Sequence, residues 1–188
     1  MAICNLYFGL RNQIKCNMET KKASYDQMFQ NIESEAWSNL SRDYHWNESL
    51  LEMYKDKVDW DEITSNHDIE WNVSMLEKFK DKINWKILSS TTQNSLLVPE
   101  ILERFIDRWD WKELSKNCHI PIETIRKMAD YIDWKELITY NYREDIYGMA
   151  FYKEFADRIP ESDLKDSCLW HVIVEEKVTT LRSVLALS

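Results

Sequence analysis

Glycine is nearly missing from this chain of 188 residues: Gly9 and Gly148 are the two it has, and neither has a second glycine beside it. That excludes a glycine-rich phosphate cradle and disfavours a sheet closed by tight hairpins, which draws on turn glycines. Proline is almost as scarce, with three residues. No uninterrupted apolar run approaches the ~18 residues of a membrane-spanning helix. The short apolar stretch at 2–10 lacks both the preceding basic residues and the cleavage site of a signal peptide. Cysteines occur at 4, 16, 118 and 168, irregularly spaced, as expected of free thiols in a reducing, cytoplasmic setting rather than of a disulfide framework. Basic residues stand singly among acids, and the net charge of −9 lacks the Lys/Arg face that a phosphate backbone requires, so direct nucleic-acid binding is not expected.

Aromatic residues are abundant, with nine Trp, nine Tyr and six Phe, a payload that disordered chains do not carry. Four tryptophans organise the sequence. The fourteen residues before Trp60, Trp85, Trp111 and Trp134 align without a gap, as WNESLLEMYKDKVD, WNVSMLEKFKDKIN, LVPEILERFIDRWD and IPIETIRKMADYID. Apolar residues recur at offsets of 0, 1, 4 and 8, as in Met75, Leu76, Phe79 and Ile83, which is one face of a helix. Asn47 and Asn72 follow Trp46 and Trp71 as N-caps behind a hydrophobic staple, and Pro99 and Pro121 fall in first turns. A second, shorter helix should begin at each anchor, capped by Asp59, Asn84, Asp110 or Asp133 and burying Ile63, Leu88, Leu114 or Leu137.

Each copy is therefore two helices in 23 to 27 residues, and neither helix buries its apolar stripe alone. Stacking supplies the partner, which predicts an all-α fold: a short α-solenoid of two-helix repeats with atypical end caps. Repeats cover about 37–161, within a single helical domain over 23–188. Residues 1–22 read as an N-terminal extension, with disorder left open, and Trp37 with Leu40 forms a divergent first anchor. A fifth copy keeps Phe155 and Ile159 but has Glu161 in place of Trp, and a helix over about 169–185 is expected to cover the end.

Four residues before each anchor stands an acid: Asp56, Asp81, Asp107, Asp130 and Asp157. In a last helical turn the dipole disfavours negative charge, so this ladder is expected to be structural, its carboxylates accepting from amides of the following helix. The repeated phrase D-W-x-E-L-S-x-N, followed by I/L-x-x-E-x-L-E-x-F-x-D, resembles the tryptophan-anchored short tandem helical repeats of uncharacterised bacterial and large-virus proteins. The resemblance implies a helical array and no nameable enzymatic activity.

Chemistry-bearing neighbours are few. Cys118 with His119 and Cys168 with His171 lack the paired spacing of a zinc site and any sign of an activated thiolate. Glu175 and Glu176 read as a solvated helix surface. No catalytic, cofactor-binding or metal-ligating residue is assigned, and the anchors Trp37, Trp60, Trp85, Trp111 and Trp134 are structural. The functional expectation is a non-catalytic module that binds a protein partner through solvent-facing positions such as Lys55, Lys80, Ile106 and Ala129, which differ among the copies. The alternative is an acidic mimic of nucleic acid that blocks a DNA-binding protein. No cofactor and no membrane association are expected, and oligomeric state is not legible.

Overall fold

The computed structural model describes residues 2–91, 93–141, 143 and 145–186, with side chains from Lys21 onward. Among the described residues all regular structure is helical, as the sequence predicts, and neighbouring helices pack on one another. Packing divides the chain into two compact units, Met1–Ile69 and Glu70–Ser188.

The first unit contains α1 (Ala2–Asp43), α2 (Glu48–Tyr54) and α3 (Trp60–Ser65). Helix α1 runs unbroken across the boundary expected at 22/23 and through the first anchor, Trp37. Ala36 explains the missing break. It occupies the place held elsewhere by Asp59, Asn84, Asp110 and Asp133, so no side-chain oxygen is available to start a fresh helix at the anchor. The C-terminal end of α1 packs on α3, with Arg42 gripping Glu62 through two hydrogen bonds of 2.7 and 2.8 Å. Asn47 then caps α2 by accepting from the amide of Leu50 at 3.0 Å, behind the buried ring of Trp46.

The second unit holds α4 (Val73–Phe79), α5 (Trp85–Thr91), α6 (Pro99–Arg104), α7 (Trp111–Ser115), α8 (Ile122–Lys127), α9 (Trp134–Tyr140), α10 (Met149–Glu154), α11 (Glu161–Leu164) and α12 (Cys168–Ala186). Helices that begin at an anchor stack in order, α5 on α7 and α7 on α9, and α12 closes on α9. The first helices of successive copies also meet, α6 against α8. The core is the set of stripes read from the sequence: Met75, Leu76, Phe79, Leu88, Leu102, Leu114, Ile125 and Leu137 are all buried. Pro99 opens α6 at its first position, whereas Pro121 is one residue earlier, at the cap of α8.

The closing helix differs from expectation in extent. Cys168, Leu169, Val172 and Ile173 are buried, Val178 is half-buried and Glu176 reaches the amide of Met149, but Val174, Leu181, Val184 and Leu185 are exposed, so the last turns of α12 do not pack.

Candidate interaction surface

Within each of four copies the anchor joins the two helices through one device. Each indole N–H donates to the backbone carbonyl five residues earlier: Trp60 to Lys55 at 2.9 Å, Trp85 to Lys80 at 2.8 Å, Trp111 to Ile106 at 3.0 Å and Trp134 to Ala129 at 3.1 Å. The bond satisfies a carbonyl that the end of the preceding helix leaves without an intrahelical partner. The acceptor at Lys55, Lys80, Ile106 and Ala129 is the main-chain oxygen, so the bond does not depend on which side chain stands there.

The same rings make the contact between copies. Trp85 lies 5.3 Å from Phe105 and 5.0 Å from Trp109, Trp111 lies 5.1 Å from Tyr131, and Trp134 lies 4.9 Å from Phe155. In the first unit Trp37 lies 5.4 Å from Tyr54. Four residues after the anchor, a buried hydroxyl adds a second link. Ser89 donates to the carbonyl of Trp85 and accepts from the amide of Asp110 at 3.0 Å, and Ser115 does the same between Trp111 and Asp133 at 2.9 Å. Ser41 links Trp37 to Asp59 in the first unit. Sequence reasoning missed this serine; its recurrence at a fixed distance after Trp37, Trp85 and Trp111 was the available signal.

The acidic ladder is placed differently from expectation. Asp56, Asp81, Asp107, Asp130 and Asp157 are all exposed. The amide-accepting role falls three residues later, on the caps: Asp110 accepts from the amide of Glu113 at 3.0 Å and Asp133 from that of Glu136 at 3.1 Å. The cap lies on the extended backbone just ahead of the helix, within reach of its free amides, and the ladder acid, a turn earlier, points outward. Ladder acids instead reach a base of the next copy, three residues before its anchor. Asp81 meets Arg108 at 2.8 Å, Asp130 meets Arg158 at 2.6 Å, and Glu33, at the same offset from Trp37, meets Lys57 at 4.0 Å. Asp157 lies 3.6 Å from Arg158 within its own copy. A second row runs beside the first, with Glu77 on Arg104 at 2.6 Å and Glu154 on Arg126 at 2.6 Å. The hydrogen bond from Arg126 holds the Glu154 carboxyl below its usual range.

One rung is different. The position that would supply a base to Asp107 is taken by Tyr131, which lies instead over Trp111. Asp107 lines a surface groove of about 250 Å³ with Glu77, Lys80, Arg104, Phe105, Ile106 and Arg108, Glu77 being held by Arg104. Two of the four variable positions, Lys80 and Ile106, thus border the same depression as the acid whose rung is interrupted.

Other candidates are accounted for locally. Cys118 is half-buried and His119 exposed, with the His119 amide donating to Asn117 at 2.8 Å. Cys168 is buried and donates through Sγ to the carbonyl of Thr139. Cys4 and Cys16 lie outside the described side chains. Among the described residues no group of three His, Cys, Asp or Glu side chains is placed to hold a metal ion, and no helix is long and apolar enough to cross a membrane. Glu176 accepts from the amide of Met149 at 2.8 Å, capping α10 beside Gly148, where a Cβ would stand 2.9 Å from the carboxylate. A groove of about 320 Å³ lies there between Tyr147 and Glu175, Glu176, Thr179 and Thr180 of α12; burial raises the Tyr147 phenol far above its ordinary value.

No family model, no curated protein and no solved structure matches this chain.

Proposed function

We propose that the chain is a non-catalytic protein-binding module, a helical-repeat array of the tryptophan-anchored kind that works in the cytoplasm and presents its outer helix positions to a protein partner. One observation carries the reading: the anchors bind main-chain oxygens at Lys55, Lys80, Ile106 and Ala129, so the outer side chains vary without disturbing the packing. The groove bordered by Lys80, Ile106 and Asp107 is the proposed contact. A partner segment fitting it brings an apolar residue for Ile106 and a basic residue for the Asp107 carboxylate, whose own rung is interrupted by Tyr131. The acidic-mimic alternative loses support where Asp81 and Asp130 are held by Arg108 and Arg158, since a neutralised carboxylate is a poor copy of a phosphate.

Selection of a displayed peptide library on the immobilised chain tests the proposal. Enriched peptides should carry a basic residue near an apolar one and should lose affinity for Ile106→Glu and Asp107→Lys, both variants retaining the parent's melting midpoint. Enrichment of peptides indifferent to both substitutions would overturn it.

A further inference from the structure

Helix α1 is 42 residues long, about 63 Å at the helical rise. Among the described residues its links to the rest of the first unit come from its C-terminal part, where Glu33 reaches Lys57, Trp37 packs on Tyr54, and Ser41 and Arg42 bond to Asp59 and Glu62. Every residue from Lys21 to Ala36 is exposed. A helix standing alone in water is marginally stable even with good helix formers, and this one also shows water an apolar stripe. Tyr25, Met28, Phe29 and Ile32 fall at i, i+3, i+4 and i+7 and are 61%, 45%, 63% and 55% exposed. Scattered apolar residues on a surface mean little, but four on one face of a free helix form a contiguous seam of the kind that pairs with another helix.

The charges beside the seam specify the occupant. Lys21, Met28 and Glu35 are spaced by seven residues and share one flank of the stripe. This flank is basic at its start, apolar at its centre and acidic at its end. Parallel self-pairing would set Lys21 beside Lys21 and Glu35 beside Glu35. An antiparallel pairing about a two-fold axis at Met28 sets Lys21 of each copy beside Glu35 of the other, so the attraction is made twice. Lys22, Asp26 and Glu33 lie together on the other flank, where Glu33 is already engaged by Lys57, so the pairing rests on Lys21 and Glu35. The seam is thus complementary to itself when inverted.

We infer that the exposed seam of α1 is a homodimerisation surface on which a second copy of this chain lies antiparallel, with Phe29 packing between Tyr25 and Phe29 of its mate. The inference is independent of the groove at Ile106, which lies in the other unit.

Sedimentation equilibrium of the full chain over a concentration series tests it. The parent should dimerise reversibly, and Phe29→Glu should be monomeric with unchanged helix content, because the substituted side chain is already in solvent. Lys21→Glu and Glu35→Lys should each weaken the dimer roughly tenfold, since the two-fold applies each loss twice, and the double variant should return to within about threefold of the parent. A parent that stays monomeric overturns the inference. So does a dimer that survives Phe29→Glu but dissociates with Leu181→Glu, which would place the seam on α12. Failure of the double reversal to restore association overturns the antiparallel arrangement.

Discussion

The indole nitrogen of Trp85 lies 2.8 Å from the carbonyl oxygen of Lys80, and its ring lies 5.3 Å from Phe105 of the next copy. One side chain therefore closes the helix before it and packs on the helix after it. The two roles separate by substitution. Trp85→Phe keeps most of the ring and loses the N–H, so it should cost about 1 kcal/mol in urea unfolding. Trp85→Ala loses both and should cost about 3 to 5 kcal/mol, with Trp111→Ala close behind. Equal losses for Phe and Ala at residue 85 would mean that the ring contributes nothing beyond its hydrogen bond.

The buried hydroxyl of Ser115 makes a sharper test of how copies are linked. Ser115→Ala leaves the amide of Asp133 without its acceptor and should cost about 1 to 3 kcal/mol. Ser90, exposed and bonded only to the carbonyl of Ile87 in its own helix, serves as the control and should be near neutral as alanine. Matching midpoints for the two variants would remove the serine from the account of inter-copy packing.

For the acids, the two sets part company. Asp110→Ala removes a cap and should cost about 1 kcal/mol, partly recovered by Asp110→Asn. Asp81→Ala, on an exposed rung, should leave the thermal midpoint close to the parent's, as exposed ion pairs contribute little. A large loss at Asp81 with none at Asp110 would restore the ladder to the structural role expected from the sequence.

Acid should weaken the surface rows. The Arg126 hydrogen bond holds the Glu154 carboxyl below its ordinary value of 4.5, and Arg42 does the same for Glu62. A carboxyl with a lowered folded value stabilises the fold fully above the ordinary value, and that contribution is lost as pH falls through the folded one. Stability should therefore fall as pH drops below about 4.5, and Glu154→Gln should flatten that slope without altering the neutral plateau. High salt should flatten it as well. An unchanged acid limb in the variant would assign the lability to other groups.

How far the sequence is legible depends on the kind of interaction. Periodicity locates Leu76, Leu88, Leu102 and Leu114 in the core, because burial of a stripe is a property of spacing alone. Asn47, Asp59, Asp110 and Asp133 are legible as caps because capping needs a particular side chain at a particular step. The ladder misleads because its acids also keep a fixed distance from the anchors, and distance along the chain does not reveal that the partner is Arg108 or Arg158, one copy further on. The anchor-to-carbonyl bonds are harder still. Their acceptor at residue 80 or 106 is main chain, so no residue type marks it. The seam on α1 went unread since the first copy lacks the capping Asp that would have delimited its helices.

The capping amides of Asp110 and Asp133 are received by the hydroxyls of Ser89 and Ser115 in the copies before them, and the rings of Trp85, Trp111 and Trp134 are received by the copies after them. The helix pair anchored at Trp111 therefore carries a socket at one side, Ser115, and a matching plug at the other, the amide of Asp110, and neither depends on its outer residues. Duplicating or excising that pair restores socket against plug at the new junction, Ser115 to Asp110 or Ser89 to Asp133. The gene encoding such a chain can lengthen or shorten by unequal recombination without first solving a new packing problem.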